Sequence, residues 1–172
     1  YRLHTGVGRA YGNSTTMPFV RRYFIGGANS LRGWRPRTVG PGNYTNNDPG
    51  VRADRSGELI IEAQTEYRFS IIHNLLEGAL FIDAGNIWYT RPIAGRQGVE
   101  FNPQTFLNQM ALNSGVGLRF DFSFFVLRFD FGVPLRNPEL PSKERWLLDD
   151  YSNGSRKFFP SLVLNLGLGY PF

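Results

Sequence analysis

The feature that most constrains this chain is an alternation of apolar and polar residues with a period of two. In segment 59–69 the odd positions are apolar apart from one threonine, while most even positions carry Glu, Gln or Arg. Such alternation predicts a β-strand whose two faces meet different surroundings. The pattern recurs in segments 112–122, 125–135 and 161–172, and more weakly in 2–11 and 76–89. The chain is therefore expected to be all-β, with about six antiparallel strands.

The connections between the predicted strands alternate in length. A tight turn is expected near 70–75 and a hairpin near 122–124, whereas the segments before 58, at 90–108 and at 134–160 are long. Short turns on one side and long loops on the other are typical of outer-membrane β-barrels. Strands of about ten residues or more are also long enough to cross a bilayer at a tilt.

Aromatic residues at the strand ends, such as Phe69, Trp88, Tyr89 and Tyr170, favour the same interpretation, because interfacial girdles have this composition. A soluble β-sheet also alternates its faces and stays open as an alternative. The pattern as a whole favours an antiparallel transmembrane β-barrel segment.

Composition excludes several kinds of site. The 172 residues include no Cys and only two His, so thiolate chemistry is excluded and a metal centre is not expected. Glu58, Glu62 and Glu66 are four residues apart on one strand, which is too wide for a paired acid and base. The basic segment 15–57 lacks an interleaved aromatic platform, so nucleic acid is not an expected partner. We predict no catalytic residue, cofactor or metal, and therefore no enzyme.

The long connection between the first two strands carries a glycine-rich run from Phe24 to Trp34. Its glycines allow a tight path that presents Arg32. Glu66 and Asp83 fall on the polar faces of neighbouring strands, and one guanidinium is able to bond to both carboxylates. In the alternative arrangement, Arg32 lies in water and Glu66 pairs with another arginine across the strands.

Several motifs resemble those of BamA/TamA-type surface-antigen barrels, which insert or translocate outer-membrane proteins. The tetrad Leu31-Arg32-Gly33-Trp34 is similar to that family's V/I-R-G-F/Y loop motif, with Trp where Phe or Tyr is commoner. Further resemblance lies in 64–69, in the F-x-D-x-G-x-x-W strand at 81–88, and in the strand segments 115–119 and 127–130. The motifs occur in the family's order and cover nearly the whole chain.

This resemblance implies that residues 1–172 are the C-terminal part of a sixteen-stranded barrel, contributing about six strands and a long inward-folding loop. Upstream strands and periplasmic repeat domains would precede them. The loop residues would be Gly26, Gly27, Leu31, Arg32, Gly33 and Trp34, with Glu66 and Asp83 as inner-wall partners.

The implied location is the bacterial outer membrane. The implied partners are membrane lipid, client outer-membrane or exported proteins, and accessory assembly subunits. The implied function is assembly, insertion or translocation of clients through a lateral seam in the barrel. A passive porin-like or structural barrel and a soluble β-sheet binding module stay open as alternatives.

The end of the chain resembles an outer-membrane recognition signal. The last predicted strand, 161–172, would form one side of the seam, and Pro171 would end its pairing because proline has no N–H to donate. The signal and seam residues are Asn165, Gly167, Gly169, Tyr170 and Phe172.

Overall fold

The computed structural model describes residues 1–14, 17–45 and 54–171, which form one antiparallel sheet of six strands in sequence order. The sheet is open, so the first and last strands are its edges, as expected for six strands alone. The strands are β1 (Arg2–Val7), β2 (Leu59–Ile72), β3 (Leu76–Trp88), β4 (Ala111–Asp121), β5 (Val126–Arg136) and β6 (Val163–Leu168). The short helical segments are two 3₁₀ turns (Phe19–Arg21 and Phe106–Gln109) and the helices α1 (Leu148–Ser152) and α2 (Phe158–Ser161).

The predicted alternation of short and long connections is confirmed. Tight turns join β2 to β3 and β4 to β5, and their central residues Asn74 and Ser123 have φ of 58° and 69°. The three remaining connections are long and lie at the other end of the strands. We call these two ends of the sheet the short-turn end and the long-loop end.

The two faces of the sheet have inverted polarity relative to a soluble protein. On the face that we call outward, Ile82 and Leu166 are 53% and 61% exposed. On the opposite, inward face, Asp83, Arg119 and Arg128 are fully or almost fully buried. This arrangement is expected where the outward face lies against lipid and the inward face lines an interior. No helix in the described residues is long and apolar enough to cross a membrane.

A β-bulge interrupts the pairing of β4 with β5 near the long-loop end. Asn113 pairs with Pro134 but Leu112 pairs with Arg136, so Leu135 is an extra residue on β5. One extra residue reverses which face the following side chain occupies. Arg136 therefore shares the outward face with Leu112 instead of facing the interior.

An apolar core fills the inward face near the long-loop end. Strand residues Ile60, Ile87 and Ala111 pack there against side chains of the first long connection. The connection contributes Ile25, Leu31 and Val39, with Tyr23 and Trp34 packed at the margin. The inward face is thus apolar near the long loops and charged further along the strands.

Two predicted strand boundaries were wrong. The first strand was expected to reach Tyr11 but ends at Val7, and the last was expected over 161–172 but covers Val163–Leu168. Gly169 has φ of 77°, a left-handed conformation that ends β6 before Pro171 is reached. Ser161 belongs to α2, and Phe172 lies outside the described residues.

The prediction that Trp88 and Tyr89 form part of an interfacial girdle was also wrong. Both side chains are buried, with Trp88 at 0% exposure. Phe101 and Phe106, from the connection between β3 and β4, pack edge-on against the indole, whose Nε1 donates to Gln109 Oε1 at 2.6 Å. The connection between β3 and β4 thus covers Trp88, which alternation alone places at an exposed strand end.

Candidate functional site

The candidate site is the segment 24–34, which we call the inner loop, together with the inward face on which it lies. At its centre, the Arg32 side chain is completely buried. Arg32 Nε and its terminal nitrogen Nη2 donate to Asp83 Oδ2 and Oδ1 at 3.0 and 2.7 Å, while Nη1 donates to Glu66 Oε2. The backbone N of Arg32 adds a bond to Asp83 Oδ2 at 3.1 Å. The structure therefore places Arg32 against both carboxylates named from the sequence.

The surroundings of Arg32 keep its guanidinium charged and fixed. Its Cζ lies 3.7 Å from the centroid of the buried Phe81 ring, so the ring faces the cation. Burial alone lowers the pKa of Arg32, but the hydrogen bonds and charges of Asp83 and Glu66 outweigh it, and the pKa is raised. A planar fork that bonds two carboxylates at once gives a specific orientation as well as attraction.

Glycines let the inner loop fold tightly and approach the sheet. Gly27 has φ of 98°, and its N donates to Trp34 O at 2.8 Å, while the N of Gly26 donates to Ser30 Oγ at 2.9 Å. Gly33 sits against β4 and β5, where a Cβ would overlap the Asn113 side chain. Only glycine permits this close approach.

The inner loop contacts all six strands of the sheet. It is bonded to β3 through Arg32 and Asp83, and it packs on β4 through Gly33. Side chains of the other four strands donate to main-chain carbonyls of the loop. These bonds run from Arg2 to Asn29 O (3.1 Å), Gln64 to Ser30 O (2.5 Å), Arg128 to Ala28 O (2.9 Å) and Asn165 to Arg32 O (2.7 Å).

A network of ion pairs continues from Arg32 across the inward face. Glu66 also accepts from Arg68 at 2.7 Å and from Arg119 at 2.9 Å. Arg119 and Arg128 are directly opposite each other on β4 and β5, which would be repulsive alone. Asp130 lies within 2.7 Å of Arg119 and 3.0 Å of Arg128 and compensates both charges.

Sequence reasoning did not assign Arg119, Arg128 or Asp130 to the site. All three occupy inward positions of β4 and β5, and the alternation of apolar and polar residues indicated those positions. The sequence did not indicate the register that brings the three side chains together. Arg2 and Gln64 were missed because they donate to main-chain oxygens of the inner loop, which every residue type provides.

The C-terminal residues named from the sequence fall into two groups. Asn165 lies under the inner loop, and Gly167 leaves space that the Arg128 guanidinium occupies, since a Cβ there would lie 2.6 Å from Arg128 Nη2. Gly169 and Tyr170 follow the end of β6, where the Arg68 Cζ lies 4.4 Å from the Tyr170 ring centroid. The recognition role of these residues stays a prediction.

The site connects the strands of the sheet. The inner loop binds the strands to one another through charge-assisted and backbone hydrogen bonds, and the strand at the edge, β6, is among them. In the described residues, no group of three or more His, Asp or Glu side chains could hold a metal ion.

Comparison with known proteins gives a family match and a similar curated protein. Residues 1–148 match the Omp85 superfamily domain, a range that includes the inner loop and the first five strands. The chain is also 23% identical over 148 residues to the outer membrane protein assembly factor BamA of Neisseria meningitidis serogroup B (strain ATCC BAA-335 / MC58). That alignment covers 76% of this chain and 18% of the relative, so the chain spans about a fifth of the length of this relative.

Proposed function

Since this chain belongs to the Omp85 superfamily, we propose that it forms part of an outer-membrane protein that assembles, inserts or translocates client proteins through a lateral seam of a β-barrel. The contact of the inner loop with all six strands is the observation that carries the proposal. A barrel that must open at one place needs the rest of its wall held together, and the loop supplies that bracing.

The proposed seam is at β6. This strand has only six residues, pairs on one side with β5 and presents its other edge without a partner in the described sheet. An unpaired edge offers backbone N–H and C=O groups to an incoming strand by β-augmentation. Asn165 ties this strand to the inner loop, so the bracing and the seam are linked.

We propose that upstream strands complete the barrel. Unpaired edges are not tolerated inside a hydrocarbon layer, so the free edges of β1 and β6 require partners there. The apolar outward face and the charged inward face fit a membrane barrel with a polar interior. Sixteen strands, a C-terminal position for residues 1–172 and periplasmic repeat domains upstream are parts of this proposal. The proposal assigns no chemical reaction to the chain.

A disulfide lock in the full-length protein tests the seam. Leu166 on β6 is replaced by cysteine and paired with a cysteine on the first strand of the barrel. The chain itself contains no cysteine that would interfere. Client insertion into liposomes is then measured with the lock oxidised and reduced. We expect insertion to stop in the oxidised protein and to return on reduction.

The matched control locks β6 to its other neighbour. Phe129 and Leu166 are directly opposite in the β5–β6 register, so a Phe129→Cys, Leu166→Cys pair fixes β6 to β5 and leaves the seam free. This control should insert clients normally. Normal insertion by the seam-locked protein would contradict the proposal and favour a passive porin-like or structural barrel.

A further inference from the structure

Arg136, at the long-loop end of the outward face, and Arg145, in the connection that follows β5, have no acidic partner among the residues that the structure describes. We propose that Arg136 and Arg145 form a binding site for the phosphate of a membrane lipid headgroup, in the leaflet on the long-loop side. The inference uses the membrane placement given under the proposed function, but it concerns a different face from the inner loop and does not depend on client assembly.

The β-bulge is what places Arg136 on the outward face. Arg136 pairs with Leu112, and Leu112 pairs with Ala84, so the three side chains form one row across the strands. The other members of this row are apolar, and the guanidinium therefore lies at the edge of a surface suited to lipid. Arginine at such an edge places its charged group at headgroup level.

The two guanidiniums share an acceptor, and no carboxylate of the described residues pairs with either. Arg136 Nη2 and Arg145 Nη1 both donate to the carbonyl oxygen of Asn108, at 2.8 and 2.9 Å. Arg136 Nη1 donates to the carbonyls of Leu107 and Met110, at 3.2 and 2.6 Å. All these acceptors are neutral, and no ion pair to either arginine occurs among residues 1–14, 17–45 and 54–171. Two like charges this close are stabilised by an anion that bridges them.

The surface beside these charges is an apolar groove. Met110 and Leu112 line it together with the side chains of Leu107 and Trp146, which are 68% and 51% exposed. Arg136 Cζ lies 5.7 Å from the Trp146 ring centroid, so the cation and the exposed indole adjoin. Two cations above an exposed apolar groove match a ligand with an anionic head and acyl chains.

These features favour a lipid over free phosphate. Phosphate is a strong bidentate acceptor for guanidinium, and the two arginines satisfy that part of the ligand. The exposed side chains of Leu107 and Trp146 would add nothing to the binding of an inorganic ion, whereas they can pack against the upper part of an acyl chain. Arg136 and Arg145 thus recognise the head and the groove accepts the start of the tail.

Native mass spectrometry of the full-length protein in a neutral detergent tests this site. The protein is titrated with diphosphoryl lipid A, with the same lipid after removal of its phosphates, and with inorganic phosphate. The variants are R136Q/R145Q, R145Q alone and R136K/R145K, with R156Q as matched control. Arg156 belongs to the same long connection but faces Asp150 and is 40% exposed.

We expect the wild type and R156Q to retain diphosphoryl lipid A and R136Q/R145Q to bind it at least about tenfold more weakly. R136K/R145K should bind with an affinity between those of the wild type and R136Q/R145Q, because it keeps both charges but loses the bidentate bonds. Removal of the lipid phosphates should weaken binding to the wild type to a similar extent as the double Gln substitution.

The proposal is overturned by equal binding of lipid A to the wild type and R136Q/R145Q, or by equal binding of the dephosphorylated lipid. Inorganic phosphate bound as tightly as lipid A would also overturn it. If R136Q/R145Q fails to fold, R145Q decides, because it keeps the carbonyl contacts of Arg136. The lipid titration contains no client protein, so a negative result leaves the assembly proposal intact. Conversely, a protein that binds lipid A but fails to insert clients counts against the assembly proposal alone.

Discussion

The inward and outward faces of this sheet are built from the same strands but are stabilised in opposite ways. On β3, Ile82 is half-exposed and the next residue, Asp83, is completely buried. The inner loop covers the charges and supplies their partners, whereas nothing in the described chain covers the leucines and isoleucines. Burial thus follows the covering element, and an apolar face left bare suits contact with lipid.

The faces also differ in what a single substitution disturbs. Stability at the outward face depends on the apolar area removed from water, which adds up over the residues and changes little with their shape. Stability at the inward face depends on paired charges, because removal of one partner leaves the other charge buried without compensation. The two faces should therefore respond differently to charge and to truncation.

A charge on the outward face should have the largest effect. Ile82→Arg in the full-length protein should lower the free energy of unfolding in lipid vesicles by about 2–4 kcal/mol, because arginine is costly at bilayer depth. Urea titration measures the change, and Ile82→Val is the control, with a smaller loss. Unchanged stability of Ile82→Arg would show that this face does not meet lipid.

Replacement of the arginine at the centre of the inward face should cause the second-largest loss of stability. Arg32→Ala should lower the free energy of unfolding by about 1–3 kcal/mol, because buried Asp83 loses its cationic partner while Glu66 keeps Arg68 and Arg119. Client insertion should fall by a larger factor than stability predicts. Arg35→Ala, at an exposed position in the same connection, should change both by little. Full activity of Arg32→Ala would remove the bracing role.

Loss of the bond between β6 and the inner loop should have a smaller effect. Asn165→Ala should lower stability by about 0.5–1.5 kcal/mol, because one hydrogen bond to Arg32 O is removed. Hydrogen exchange should become faster in β6 and in the inner loop together. Leu166→Ala, on the outward side of the same strand, should leave exchange in the loop unchanged. Faster exchange in β6 alone would show that the loop and the strand are not coupled.

The smallest effect on stability is expected at the short-turn end. Tyr170→Ala removes an exposed cation–π contact with Arg68 and should lower the free energy of unfolding by about 0.5–1 kcal/mol. Membrane insertion of the protein itself should nevertheless slow if Tyr170 belongs to a recognition signal. Insertion rates of newly synthesised protein measure this, and Tyr67→Ala is an outward-facing aromatic control. Equal insertion rates for wild type and Tyr170→Ala would count against that signal.

Strand positions and faces were predictable from the sequence because alternation depends only on neighbouring residues. Segment 59–69 lies within β2, and all of segment 125–135 except its first residue lies within β5, with the apolar and polar faces on the expected sides. The partners Glu66 and Asp83 followed from the same alternation, since both belong to polar faces of adjacent strands. The role of the inner loop in function stays a prediction.

Features that depend on register or on loop packing were not predictable. The bulge at Leu135 depends on the pairing of β4 with β5, and without it Arg136 would be assigned to the interior. Trp88 was misplaced because the covering rings come from the connection that follows β3, whose path alternation does not specify. Gly169 ended β6 early through its backbone conformation, which composition alone does not specify.

The carbonyl contacts of the inner loop have a consequence for which of its positions tolerate mutation. Strand side chains bond to the main-chain oxygens of Ala28, Asn29 and Ser30, and every residue type provides such an oxygen. Substitutions at 28 that preserve the backbone path should therefore be accepted in a mutational scan, whereas at 29 they also remove the bond from Arg128 Nη2 to Asn29 Oδ1 at 2.7 Å. Arg32 is different, because its side chain makes the contacts with Glu66 and Asp83, and variation in this loop should be lowest there.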